Sequence, residues 1–228
     1  MAALVLMGLA SSAWGQLKIE GTRLIYPGSN KEASISVVNR SDLDTVMQSW
    51  VSSTDKRDDA PFAIVQPLAL IPPNGRHMLR VLYAGKGLPE DRESLFWLNI
   101  LEIPRKPEQA NTLQFAVRQR LKLFYRPAGI QGRPEDLPGQ LRFALVRRSA
   151  GWAVRVDNPS GYYASFASAT LSVGQRRWRL RSGMLEPRSH AEWQAETREA
   201  LPPGRVRLHA LLINDYGAHM DIRHDLSP

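Results

Sequence analysis

The side chains able to do chemistry are present but scattered. Five histidines, His77, His190, His209, His219 and His224, show no ligand-like pairing; the nearest pair, His219 and His224, lies five apart with nothing to complete a tetrahedral site. The chain has no cysteine, which removes thiol chemistry, Cys-type metal centres and disulfides together. No Gly-x-Ser-x-Gly elbow, His-Glu-x-x-His pair or Walker loop occurs. Gly85-Lys86-Gly87 holds two glycines of a phosphate loop and reads as a hairpin turn. Clustered cations beside a stacking aromatic would suit nucleic acid. Arg176-Arg177-Trp178-Arg179-Leu180-Arg181 is the best candidate, and it reads as a solvated strand. The expectation is therefore no enzyme, no metal, no cofactor and no nucleic-acid partner.

Charge supports this. The net charge is +8 over 228 residues. Residues 131–228 carry 14 Arg against 10 Asp plus Glu, for +4, and the remainder carries the other +4. An evenly spread charge fits a solvated surface, whereas a nucleic-acid protein concentrates it.

The elements that must position any site are strands. Short alternating runs recur between Gly, Pro, Asn and Asp punctuation. They predict strands over Leu17–Tyr26, Ala33–Asn39, Thr45–Ser53, Ala63–Gln66, Arg76–Tyr83, Ser94–Glu102 and Thr112–Tyr125. Seven short strands at this spacing describe an immunoglobulin-like sandwich. A linker, 128–134, precedes a second set over Leu141–Arg147, Trp152–Val156, Ala164–Val173, Arg177–Leu180, His190–Gln194, Arg205–Ile213 and Ala218–Arg223. The fold class is all-β, with domains over 16–127 and 135–228. Ala2–Ala10 is an apolar run, and Ala13-Trp14-Gly15 has the small-x-small form of a signal-peptidase site, so 1–15 reads as an export signal. No Lys or Arg precedes the run, which reads as a truncated start. The run is too short to span a bilayer comfortably, so no membrane insertion is expected.

Thr112–Tyr125 stands out at fourteen residues, since five or six is usual. Leu113, Phe115, Val117, Leu121, Leu123 and Tyr125 share one face, interrupted only by Gln119. One reading buries this whole face in the protein's own core. The other divides the strand, leaving Leu113, Phe115 and Val117 at an open edge, which proteins suppress unless a partner adds a strand there. Arg23 shares parity with Leu17, Ile19 and Ile25, so a charge is expected to interrupt an apolar face.

Four segments resemble one family. Asp91-Arg-Glu-Ser-Leu-Phe-Trp-Leu-Asn-Ile-Leu-Glu-Ile-Pro104, Leu121-Lys-Leu-Phe-Tyr-Arg-Pro127, Ile213-Asn-Asp-Tyr-Gly217 and Gly21-Thr-Arg-Leu-Ile-Tyr-Pro-Gly28 are similar, in order and spacing, to the periplasmic pilus chaperones of the chaperone–usher pathway, P-pilus type. The resemblance implies two immunoglobulin-like domains in a boomerang, a periplasmic location, pilus subunits and an outer-membrane usher as partners, and donor-strand complementation as the mechanism. Leu113, Phe115 and Val117 would then be donors to the subunit's groove. Arg23 and Lys122 would anchor its C-terminal carboxylate, and Glu93, Arg126 and Asp215 would form an ion network joining the domains. An open edge leaves room for self-association of the free protein, which the sequence does not decide. Some relatives carry a cysteine pair near the C-terminus, which this chain lacks, and the chain ends soon after Asp221, which leaves the length of the last strand open. The short stretch between Ile103 and Thr112 resembles the short-loop branch. The alternatives are a secreted immunoglobulin-like adhesin or interaction module, or a pilus subunit, which would be one incomplete domain rather than two.

Overall fold

The computed structural model describes residues 16–54, 60–105, 113–148, 151–196 and 201–226. The expected export signal, most of the short stretch before Thr112, and Thr112 itself lie outside these residues.

The first half is a sandwich of two sheets. One sheet runs β1 (Leu17–Ile19), β3 (Glu32–Asn39), β7 (Arg76–Tyr83) and β5 (Phe62–Ile64). The other runs β2 (Arg23–Pro27), β9 (Arg118–Arg126), β8 (Ser94–Ile103), β4 (Thr45–Ser52) and β6 (Leu68–Ile71). Alternation puts Val37, Met47, Leu79, Val81, Leu98 and Leu123 fully inside. Each such side chain contributes about 1.5–3 kcal/mol by leaving water.

After a short helical turn, α1 (Leu137–Gln140), the second half builds another sandwich. Its sheets are β10 (Arg142–Arg148), β11 (Gly151–Asn158) and β15 (Ser189–Gln194), and β13 (Arg176–Arg179), β12 (Ala164–Val173), β16 (Val206–Ile213) and β17 (His219–Leu226), with β14 (Met184–Leu185) beside β12. Trp178 and Trp193 close its core around Leu171, Leu208 and Leu212.

Both halves solve one problem the same way. Asn39 is fully buried at the end of β3, and its amide donates to the carbonyls of Leu43, Ile71 and Pro72 at 2.7, 3.0 and 3.1 Å. Its own oxygen accepts from the Ser41 N–H and hydroxyl. Asn158, at the end of β11, repeats this with Tyr162 and Glu186 carbonyls and with Ser160. Loop carbonyls that would otherwise be buried unpaired are thereby satisfied.

Three expectations change. Leu17–Tyr26 is not one strand. β1 pairs antiparallel with β3, then the chain crosses at Glu20-Gly21-Thr22, and β2 pairs parallel with β9 in the other sheet. The crossing shifts the phase, so Leu17, Leu24 and Tyr26 enter the core while Arg23 and Ile25 face the other way. Arg23 therefore does not interrupt the core face. The predicted strand ending at Tyr125 begins its pairing only at Arg118. Finally, β6 and β14 were missed. β6 is four residues between Pro67 and Pro72, short enough for an edge position where proline is tolerated.

Candidate functional site

The site is organised by β9. Its odd side, Leu121, Leu123 and Tyr125, is buried in the first core. Its even side, Arg118, Arg120, Lys122, Phe124 and Arg126, projects from the opposite face. Along one edge β9 pairs with β8 from Arg118 to Tyr125. Along the other it pairs with β2, but only from Lys122 onward, where Arg23 is the first partner. From Arg118 to Leu121 that edge is unpaired among the described strands. A strand added there would run straight into the start of β2.

At that meeting point Arg23 and Lys122 sit side by side on one face. Arg23 Nη1 donates to the Ile213 carbonyl at 3.4 Å and its guanidinium carbon lies 6.0 Å from the Phe124 ring centre. Its Nε is buried with no acceptor among the described residues. Lys122 Nζ reaches the Ser165 hydroxyl at 3.5 Å. Burial lowers the Arg23 pKa, against the pull of Asp215 and Glu93. Burial and then Arg23 lower that of Lys122. Two half-buried cations with an unused donor make a place that an anion would stabilise.

Next to it, Arg126 holds the two halves together. It donates through Nε to Glu93 Oε1 at 2.8 Å and, as a fork, to Asp215 at 2.8 and 3.0 Å. The Glu93 side chain is 2% exposed, and its other oxygen accepts the Tyr163 N–H of the second half at 2.8 Å. Burial pushes the Glu93 carboxyl up, while Arg126 and the Tyr163 N–H pull it down. The Arg126 pKa is raised by Asp215 and Glu93, which outweigh its burial. Arg188 reaches across to Asp91, and Phe124 packs against Tyr163 at 5.5 Å between ring centres. Gly217, with φ 84°, rests against Thr22; a Cβ there would lie 2.5 Å from the Thr22 hydroxyl. Between the halves lies a cleft of about 220 Å³ lined by Arg23, Phe124, Arg126, Tyr163, Ile213 and Asp215 among others.

Before β9 the chain leaves the sheet. Leu113 and Phe115 are 78% and 74% exposed and Val117 is 38% exposed. Val117 still accepts the Glu102 N–H at 2.9 Å, so the segment stays along the rim of β8. The structure thus brings Arg23 to Lys122, and Arg126 to Glu93 and Asp215. Leu113, Phe115 and Val117 stand apart from both groups, further along the same chain. Ser165 and the Tyr163 N–H were missed, because a serine and a backbone amide carry no charge or spacing signal. Trp50 and Trp97, which pack under Arg118 and Arg120, were legible only as apolar strand positions.

Two family models match the chain: Pili and flagellar-assembly chaperone, PapD N-terminal domain, over residues 16–131, and Pili assembly chaperone PapD, C-terminal domain, over 136–224. The probable fimbrial chaperone YadV of Escherichia coli K12 is 31% identical over 226 residues, covering 94% of this chain and 92% of that relative. The crystal structure of the YadV chaperone superposes with a TM-score of 0.80, covering 93% of this chain and 100% of that one. The Salmonella enterica SafA pilin in complex with the SafB chaperone gives a TM-score of 0.75 at 27% identity, covering 91% of this chain and 95% of that chain.

Proposed function

The chain belongs to the PapD-type pilus-assembly chaperones, and from that premise we propose how its own residues do the family's work. The protein binds and folds pilus subunits by donor-strand complementation, keeps them from aggregating and delivers them to an outer-membrane usher. Chaperone–pilin complementation is a known instance of strand addition, in which main-chain bonds give affinity and alternate side chains give specificity. It works in the periplasm, a reading supported by the apolar opening run and by the family. Its role is to hold rather than to catalyse, and binding energy alone drives the subunit's folding.

Leu113, Phe115 and Val117 fill the subunit's open groove. Their exposure in the free protein supports this, since an apolar rim of this kind needs a partner. Arg23 and Lys122 take the subunit's terminal carboxylate. The network of Arg126, Glu93 and Asp215 fixes the angle between the halves and hence the width of the cleft. One observation carries the reading: the open edge of β9 ends where β2 begins, and the unused donor of Arg23 is at that end. A strand added parallel to β9, in line with β2, stops there and brings its terminal carboxylate to Arg23 and Lys122.

The test is a periplasmic pull-down of tagged wild type beside Arg23→Ala, with bound proteins identified by mass. Small pilin-like subunits recovered with the wild type only support both function and anchor. Equal recovery with Arg23→Ala removes the anchor. Recovery of nothing, with subunits shown to be expressed, removes the chaperone reading for this chain.

A further inference from the structure

The cleft-facing side of β9 carries more positive charge than a carboxylate anchor uses. Arg118 and Arg120 are exposed, and neither pairs with a carboxylate among the described residues. Each guanidinium instead lies on an indole: Arg118 is 4.9 Å from the Trp50 ring centre and Arg120 is 4.4 Å from that of Trp97. Arg118 also forks its Nε and Nη2 onto Asn99 Oδ1 at 3.2 and 2.6 Å. Asn99 is fully buried, and its amide is fixed by the Trp50 and Trp97 carbonyls and the Ser52 hydroxyl. Shielding indole from water would need only the methylene stems of these arginines. Here the charged heads themselves are stacked, and one is locked to a buried amide.

A guanidinium held over a ring has already lost much of its rotamer freedom, and Arg118 still has Nη1 N–H groups beyond the Nε and Nη2 donors given to Asn99. That is the preparation a carboxylate binder needs. The spacing also matters. Arg118, Arg120 and Lys122 recur every second residue, roughly 6.6 Å apart on a strand, and Arg23 closes the row. A strand added along the open edge from Arg118 to Leu121 puts every second side chain on this same face at this same interval.

We infer that this row of cations selects subunits whose terminal strand carries acidic side chains at alternate positions just upstream of the C-terminal carboxylate. The inference rests on the strand-addition reading above and names the chemistry that reading leaves open. The donors at 113, 115 and 117 face the apolar groove, while the acidic positions face the cleft, so one added strand is read on both sides.

The test uses short synthetic peptides with an apolar residue at every second position and a free C-terminus. Two versions differ only by Glu or Gln at the cleft-facing positions, and a third is the Glu peptide with an amidated end. Binding to the full chain is followed by fluorescence anisotropy. The Glu peptide should bind about tenfold more tightly than the Gln peptide at low salt. That preference should collapse near about 0.5 M NaCl, where screening lengths fall to a few ångströms. It should also disappear in Arg118→Gln/Arg120→Gln, with the Gln peptide bound as by the wild type. Arg118→Lys/Arg120→Lys keeps the charge but loses the fork, and should retain only part of the preference; it also covers the case in which the double Gln variant fails to fold. Equal affinity for Glu and Gln peptides, with binding lost on amidation, overturns the row while leaving the anchor intact. Equal binding of amidated and free peptides overturns the anchor reading itself, and binding of no peptide overturns both.

Discussion

Replacing Arg126 with alanine tests how the two halves are joined. The change removes the Nε bond to Glu93 and the fork to Asp215. It leaves the Glu93 side chain, 2% exposed, with the Tyr163 N–H as its remaining partner. Removing one member of a buried ion pair strands the other, at a cost of about 3–5 kcal/mol. That is a large share of the roughly 5–15 kcal/mol by which a domain is stable. The loss should depend on pH with a definite sign. Burial already raises the Glu93 carboxyl, and Arg126 is the largest influence holding it down. Without Arg126 its folded pKa rises further above the unfolded value. A group raised on folding contributes stability that is complete below its unfolded pKa and lost as pH rises through its folded pKa. The deficit of Arg126→Ala is therefore greatest near neutrality and shrinks as pH falls towards the ordinary carboxylate range. Glu32, Glu192, Asp221 and Asp225 are held low by basic partners and have the opposite sign. They weaken wild type and variant alike on acidification and cancel in the difference. The assay is urea unfolding of both proteins across this pH range, with Arg126→Ala/Glu93→Gln as a third. Removing the buried charge should restore at least half of the loss. A deficit below about 1 kcal/mol, the size of an exposed pair, or one that does not vary with pH, would refute the reasoning.

The other predictions concern capture. Phe115→Glu leaves the free protein as stable as before, because the side chain is 74% exposed, but it forfeits about 2 kcal/mol or more of groove burial, so subunit affinity measured by titration should fall at least about thirtyfold; unchanged affinity removes Phe115 from the donors. Lys122 is held below its usual range by burial and by Arg23, and a bound carboxylate raises it again. Affinity for a carboxylate-ended peptide is then complete below the free-state pKa of Lys122 and declines as pH rises through that value, and Lys122→Arg should flatten the profile; a wild-type profile equally flat in the alkaline range would place Lys122 outside the anchor. Gly217→Ala puts a side chain on a φ of 84° and into Thr22, displacing the loop that carries Asp215. It should lower the unfolding midpoint and the yield of captured subunit together, and wild-type values for both would show that the loop relaxes without disturbing the hinge.

Strand content was legible because alternation and turn residues agree through both halves. Alternation gives the face of a residue but not its neighbour. Leu113 to Val117 continue the pattern of Leu121 to Tyr125, yet the first three lie along the rim of β8 outside the paired ladder, and nothing in their own sequence records that β9 pairs only from Arg118. Parity fails wherever a chain changes sheets. Glu20-Gly21-Thr22 shifts the phase between Leu17 and Leu24, so the parity argument for Arg23 pointed to the wrong face. The pairing of Arg23 with Lys122 depends on a parallel contact between segments about a hundred residues apart, and the hinge on backbone groups such as the Tyr163 N–H. Single-sequence patterns carry neither; the family resemblance supplied Arg23, Lys122, Glu93, Arg126 and Asp215, but not Tyr163.

The place where β2 blocks the edge of β9 has a consequence for timing. A subunit threaded through the inner membrane from its N-terminus releases its last residue last. If Arg23 and Lys122 hold the terminal carboxylate as proposed, the site does not engage a chain whose C-terminus is still in transit. On that proposal, capture doubles as an inspection of release: only a chain whose C-terminus has come free is admitted to assembly.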